Sequence, residues 1–202
     1  SKCLSVNFGW SETCGRRPDM QDSMCILPAF QKVPWNHLAA IFDGHSGNHT
    51  SLYAGKRFPV ILAGFLNSDT PEAAMKQTFR SLHSEINERK NEDGSAALAV
   101  LLLGTKLIIG NSGDSRCVLS HKGTAIDMSC DHKPEKEQEY RRIKASGGFV
   151  TDAGRVDGEL ALARAIGDLK FQPHITWEPD ILVRVLSPDD EFLIMACDGV
   201  WD

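Results

Sequence analysis

The chain has 202 residues, is 42% apolar and 24% charged, and carries a formal net charge of −5. That balance excludes wholesale disorder, and the length provides enough interior that neither a metal nor a disulfide is needed merely to hold the chain together. An acidic total without any basic run argues against a nucleic-acid groove or an anionic membrane surface, and the longest unbroken apolar run, residues 96–103, is far too short to span a bilayer.

In chain order, residues 3–8 alternate loosely and are read as a strand, and residues 23–27 as a short apolar one. Residues 38–42 are solidly apolar, as a strand buried on both faces would be. The stretch 47–66 has a helical tendency with Leu52, Val60, Leu62, Phe65 and Leu66 available to pack. Pro59 should kink it, because proline removes a backbone donor. Met75, Phe79, Leu82 and Ile86 make one apolar stripe at helical spacing, with Thr70 as N-cap and Pro71 at the first helical position. Residues 96–103 and 106–109 read as strands joined at Gly104-Thr105, and 116–120 and 124–128 as a second pair around Lys122-Gly123. Residues 134–145 are charged almost throughout and read as a solvated helix anchored by Ile143, stopping at Gly147-Gly148. Strands at 181–185 and 192–197 flank the turn signal Ser187-Pro188-Asp189-Asp190. Strand runs with helices grouped between them argue an α+β fold built on antiparallel sheets.

The six cysteines fall at irregular spacings with no Cys-x-x-Cys pair, and read as reduced, mostly buried thiols of an intracellular protein. No charged-then-apolar leader opens the sequence, so the expected location is cytoplasmic or nuclear.

Asp-Gly recurs at Asp43, Asp93, Asp157 and Asp198. At Asp93 and Asp157 a plain tight turn is the preferred reading. Asp43 and Asp198 each end an apolar strand-like run, which would hold a carboxylate rigidly, and the following glycine lets the backbone approach an ion. Asp114, in Asn111-Ser112-Gly113-Asp114-Ser115-Arg116, Asp22 just ahead of a strand, and Asp202 shortly after Asp198 complete the acidic set. If these carboxylates converge, their repulsion calls for a cation, and oxygen donors suit Mg²⁺ or Mn²⁺ better than Zn²⁺. Solvated surface aspartates are the other reading at this point. His45 and His49 have zinc-ligand spacing, but Ser46 stands where a zinc protease needs its glutamate. A histidine beside a metal-binding aspartate is better placed as a proton donor to a leaving group.

Taken in order, Arg17-Pro18-Asp19-Met20-Gln21-Asp22, Phe42-Asp43-Gly44-His45-Ser46-Gly47, Gly94-Ser95-Ala96-Ala97, the Asp114 motif and Asp131-His132-Lys133-Pro134 form a familiar series. Arg155-Val156-Asp157-Gly158, Leu162-Ala163-Arg164-Ala165-Ile166-Gly167-Asp168, Glu178-Pro179 and Ala196-Cys197-Asp198-Gly199-Val200-Trp201-Asp202 continue it. The series resembles the metal-dependent serine/threonine protein phosphatases of type 2C. The resemblance implies a four-layer α-β-β-α sandwich of two antiparallel sheets flanked by helices. It implies hydrolysis of phosphoserine and phosphothreonine by a metal-bridged water, with two Mn²⁺ or Mg²⁺ ions and a weaker third. By the same resemblance Asp43 bridges the two ions, Gly44 offers its carbonyl, Asp198 binds one ion, and Asp22 belongs to the metal set. Asp114 and Asp202 would hold the third ion, Arg17 the substrate phosphate, and His45 would be the general acid. Residues 167–179 would flank the site as a flap. The expected partners are phosphoprotein substrates of a monomer, with no nucleic acid and no membrane.

Two departures matter. Gln21 stands where the family has glutamate, which predicts weaker metal affinity. The motif series also stops at Asp202, ahead of the Asp-Asn pair and closing strand of the family. The expectation is therefore a single phosphatase-like catalytic domain over 1–202, C-terminally incomplete, with apolar side chains exposed on 96–103 or 192–197. The alternative is a catalytically inactive module used for binding or regulation.

Overall fold

The structure, a computed structural model, describes residues 6–201. Its strands are β1 (Ser23–Leu27), β2 (Asn36–His45), β3 (Gly94–Leu103), β4 (Lys106–Ser112), β5 (Arg116–His121), β6 (Thr124–Asp127), β7 (Ile166–Gly167), β8 (Asp180–Val185) and β9 (Asp190–Ala196). The α-helices are α1 (His49–Phe65), α2 (Pro71–Arg89), α3 (Glu137–Ala145) and the short α4 (Asp198–Trp201). The larger sheet runs β1-β2-β3-β4-β8, with β7 also paired to β3, and the smaller runs β6-β5-β9; all the pairings are antiparallel.

The continuous apolar run of β3 has a direct cause: both of its faces are buried. Ala97, Ala99 and Leu101 point toward α1 and α2, where Phe58, Leu62, Met75, Phe79, Leu82 and Ile86 meet them. Leu98, Val100 and Leu102 point the other way, against Cys117, Leu119 and Met128 of the second sheet. Phe58 joins the layers, with its ring 5.7 Å from Phe42 on β2 and 5.3 Å, edge-on, from Phe79 on α2. Each such fully buried side chain contributes on the order of 2 kcal/mol. The result is an α+β sandwich of two antiparallel sheets flanked by helices.

The α2 reading holds in detail: Thr70 Oγ1 accepts from the Ala73 N–H at 3.3 Å, Pro71 opens the helix, and the whole apolar stripe is buried. The turns at Gly104 and at Lys122-Gly123 take positive φ, as tight hairpins require.

Several expectations change. Of the strand read at 3–8, residues 3–5 lie outside the described residues, and residues 6–8 belong to no strand. In α1, Leu52 and Val60 are exposed, and the helix instead buries Thr50, Ser51, Ala54, Gly55, Phe58 and Ile61 beside Leu62. α1 also continues through Pro59. The charged helix is shorter than read, and Glu139 on it is buried rather than solvated, because Arg164 and Arg142 bind its carboxylate. Asp93 is not a surface turn residue: it is buried, and its Oδ2 accepts from the His49 and Thr50 N–H groups at 2.7 and 3.3 Å, capping α1 from across the fold. The central run 96–103 is covered, whereas Phe192 and Ile194 on β9 are exposed opposite the inward Leu193 and Met195. Among the described residues no helix is long and apolar enough to cross a membrane.

Candidate active site

Where β2, the 17–22 segment and the end of β9 meet, a cleft of about 790 Å³ opens. Arg17, Gln21, Asp22, Asp43, Gly44, His45, Asp114, Cys197 and Asp198 all line it. Strand ends set the placement: β2 delivers Asp43, Gly44 and His45, and Asp198 comes just past the end of β9, with Cys197 between. Gly44 is required here because the 20–22 segment crosses over it; a Cβ would run into the Gln21 carbonyl. The same carbonyl accepts from Ser51 Oγ on α1, which fixes the crossing segment. Asp202 lies outside the described residues.

Donor atoms of Asp22, Asp43 and Cys197 lie within 4.8 Å of one another. Burial, followed by the charges of Asp22, Asp198 and Asp114 and a hydrogen bond with Asp22, pushes the Asp43 carboxyl up to about 7. The Cys197 thiol donates to Asp22 Oδ2 at 3.5 Å, and burial together with the Asp43 and Asp22 charges holds its pKa well above the usual thiol range. It is a neutral neighbour of the acids. Asp114, though it faces the cleft, accepts from Lys133 Nζ at 2.7 Å, so part of its charge is already compensated.

His45 Nε2 lies 2.8 and 2.9 Å from the two carboxylate oxygens of Asp168, which is 1% exposed. Burial alone would lower the pKa of the His45 ring, but the Asp168 hydrogen bond and charge, with Asp43 and Asp114 behind it, hold it above the ordinary value. His49 turns to a different carboxylate, Asp93, and its side chain is exposed, so the two histidines form no shared site. Arg17 sits exposed at the cleft rim.

Sequence reasoning assigned no role to Asp168, Cys197, Arg155 or Glu159, although all belong to motif stretches or adjoin them. The flap expectation also shifts. The cleft wall is Arg155 with residues 159–162, while of residues 167–179 it is Asp168 that reaches His45. The cysteine reading holds in part: Cys14, Cys25, Cys117, Cys130 and Cys197 are free thiols, but of these only Cys117 is fully buried and Cys130 is exposed; burial raises Cys25 to about 11 and Cys117 to about 12.

The family model for protein phosphatase 2C matches residues 6–202. Among curated proteins, protein phosphatase 2C homolog 2 of Schizosaccharomyces pombe is 37% identical over 218 residues, covering 98% of this chain and 58% of the relative. Homolog 3 of the same organism is 39% identical over 216 residues, covering 98% of this chain and 51% of that protein. The chain thus spans little more than half the length of these relatives. Among solved structures, a Caenorhabditis elegans sex-determining protein matches with a TM-score of 0.86 at 25% identity, over 93% of this chain and 50% of that one. A Toxoplasma gondii phosphatase matches with a TM-score of 0.78 at 27% identity, over 93% of this chain and 74% of that one.

Proposed function

The chain belongs to the protein phosphatase 2C family, and from that premise we propose that its cleft hydrolyses phosphoserine and phosphothreonine in proteins with Mn²⁺ or Mg²⁺. The observation that carries this reading is the crowding of Asp22, Asp198 and Asp114 around Asp43, whose carboxyl is pushed up to about 7. Like charges so disposed are stable only when protonated or when cations lie among them. The donor set fits that demand. Asp43, the Gly44 carbonyl and Asp198 would hold the ions, with Asp22 beside them, and Asp114 and Asp202 would serve a third. When bound, the ions supply neutralisation of the phosphoryl oxygens and activation of the attacking water.

The chain's own groups do the rest. The Arg17 fork at the rim suits two non-bridging phosphate oxygens, orienting the ester over the acids. His45 gives its proton to the serine or threonine oxygen as the P–O bond breaks, so the alcohol leaves neutral. Arg155 and residues 159–162 form one wall of the cleft beside these groups. The free thiols support a reducing, cytoplasmic or nuclear setting.

A phosphopeptide assay tests the reading. Phosphate release should require Mn²⁺ or Mg²⁺, stop with EDTA and vanish in Asp43→Asn. Release that persists in EDTA would sink it. Gln21, a neutral side chain on the cleft wall, favours the second reading of a module that binds phosphoproteins without turnover. That reading predicts peptide binding with no phosphate released under any metal.

A further inference from the structure

The sheet register sets three residues in a row across β3. His45 on β2 is the partner of Gly94, and Gly94 is in turn the partner of Gly167 on β7. Asp168 follows at once, in the left-handed region with φ 54°, its N–H bonded to the Asp93 carbonyl at 3.3 Å. A non-glycine residue held there is strained by roughly 1 kcal/mol. The side chain then crosses above Gly94, where any Cβ would collide with the carboxylate, and ends on His45 Nε2. A carboxylate 1% exposed is tolerated only against a donor. Because a carboxylate can only accept, the ring nitrogen facing it must carry the proton.

We propose that Asp168 is a positioning residue: it keeps the proton on His45 Nε2 and fixes the ring so that Nδ1 is the nitrogen serving the leaving oxygen. The inference rests on the phosphatase reading of the cleft. It extends the logic by which a base or acid is aligned by a third group behind it. The strained backbone, the absent side chain at Gly94 and the two-residue β7 bridge all act to place one carboxylate behind one imidazole.

Such a role depends on the leaving group, whereas a merely structural role does not. A serine alkoxide needs a proton to leave; the nitrophenolate of p-nitrophenyl phosphate does not. With Mn²⁺, Asp168→Asn should therefore lower kcat on a phosphoserine peptide about tenfold or more at nearly unchanged KM, while kcat on p-nitrophenyl phosphate stays within about twofold. Gly94→Ala, which displaces the carboxylate without removing it, should show the same split. A wild-type protein that hydrolyses neither substrate overturns the functional reading and this inference with it. An active wild type whose variants lose both substrates equally overturns the inference alone. A second readout needs neither metal nor turnover: imidazole ¹⁵N spectra of the metal-free wild type should show a protonated Nε2 on His45. A bare Nε2 would overturn the assignment even if the Asp168 variant failed to fold.

Discussion

Two groups of charged side chains, one of aspartates alone and one of carboxylates interleaved with arginines, behave in opposite ways. In the cleft, Asp43 sits among Asp22, Asp198 and Asp114, and its carboxyl is pushed up. On α3, Glu139 is more secluded, at 3% exposure, yet its pKa falls: burial would raise it, but Arg164 and Arg142 outweigh that. Arg164 donates to Glu139 Oε1 at 2.5 and 2.9 Å, to Asp180 Oδ1 at 2.8 Å and to the Glu178 carbonyl at 3.0 Å. Arg142 adds bonds to the Ala163 and His174 carbonyls at 2.6 and 2.8 Å. The second group is internally balanced and serves to hold the 163–180 segment in place. The first is left out of balance by the protein itself, and in that state it stores a demand for cations.

The comparison breaks most visibly at the balanced group. Arg164→Met leaves Glu139 and Asp180 short of a partner, and should cost about 3 kcal/mol, read as a lower denaturation midpoint. The sign with pH follows from the lowered pKa of Glu139: its contribution is present above the ordinary carboxylate pKa and is lost as pH falls through the folded value. The gap between wild type and variant should therefore narrow on acidification.

At the cleft the sign reverses. The folded pKa of Asp43, about 7, lies above the ordinary 3.8, so ionising it costs stability, increasingly from the lower value to the higher and fully above both. In EDTA, Asp43→Asn should therefore stabilise the protein by roughly 2 kcal/mol near pH 8, after allowance for solvent screening in an open cleft, and by much less near pH 5. Thermal unfolding at the two pH values checks this, and added Mn²⁺ should reverse the order by stabilising only the wild type.

The contrast also explains what could be read in the sequence. The acids that crowd the cleft end strands or flank them, and strand ends are visible as the last residues of apolar runs such as 38–42. β3 and α2 were legible because burial imposes a period, or the lack of one, on neighbouring residues. α1 was half legible: it buries Thr50, Ser51, Ala54 and Gly55, small residues that carry little hydrophobic signal, with Gly55 set against Ser23 of β1. Asp93, Glu139 and Asp168 were missed for a shared reason. Their partners stand 44, 25 and 123 residues away, and an isolated long-range polar bond leaves no local pattern. The motif series marked the stretches containing Asp168 and Arg164, but a motif does not say which carboxylate faces which nitrogen.

The imbalance of the cleft can be increased as well as relieved. Gln21 lies on its wall, with its backbone fixed by Ser51. Gln21→Glu adds a negative charge beside the acids without altering size. Mn²⁺ affinity measured by calorimetry should tighten about tenfold, and metal-free stability should fall. Unchanged affinity would mean that the side chain at this position does not sense the ions.

The smallest effect is expected where the two behaviours meet. Asp114 faces the cleft and adds to the field on Asp43, but Lys133 Nζ, 2.7 Å away, offsets part of its charge. Lys133 is about one-quarter exposed, so the offset is screened and modest. Lys133→Met should tighten Mn²⁺ binding only about threefold at low ionic strength, because the ammonium no longer competes for the same carboxylate. The gain should fade as salt is raised, since screening weakens the lysine in the wild type too. If the variant instead binds Mn²⁺ more weakly, the lysine acts by holding Asp114 in the geometry the ions need, and the carboxylate then belongs with the balanced group at α3 rather than with the demand in the cleft.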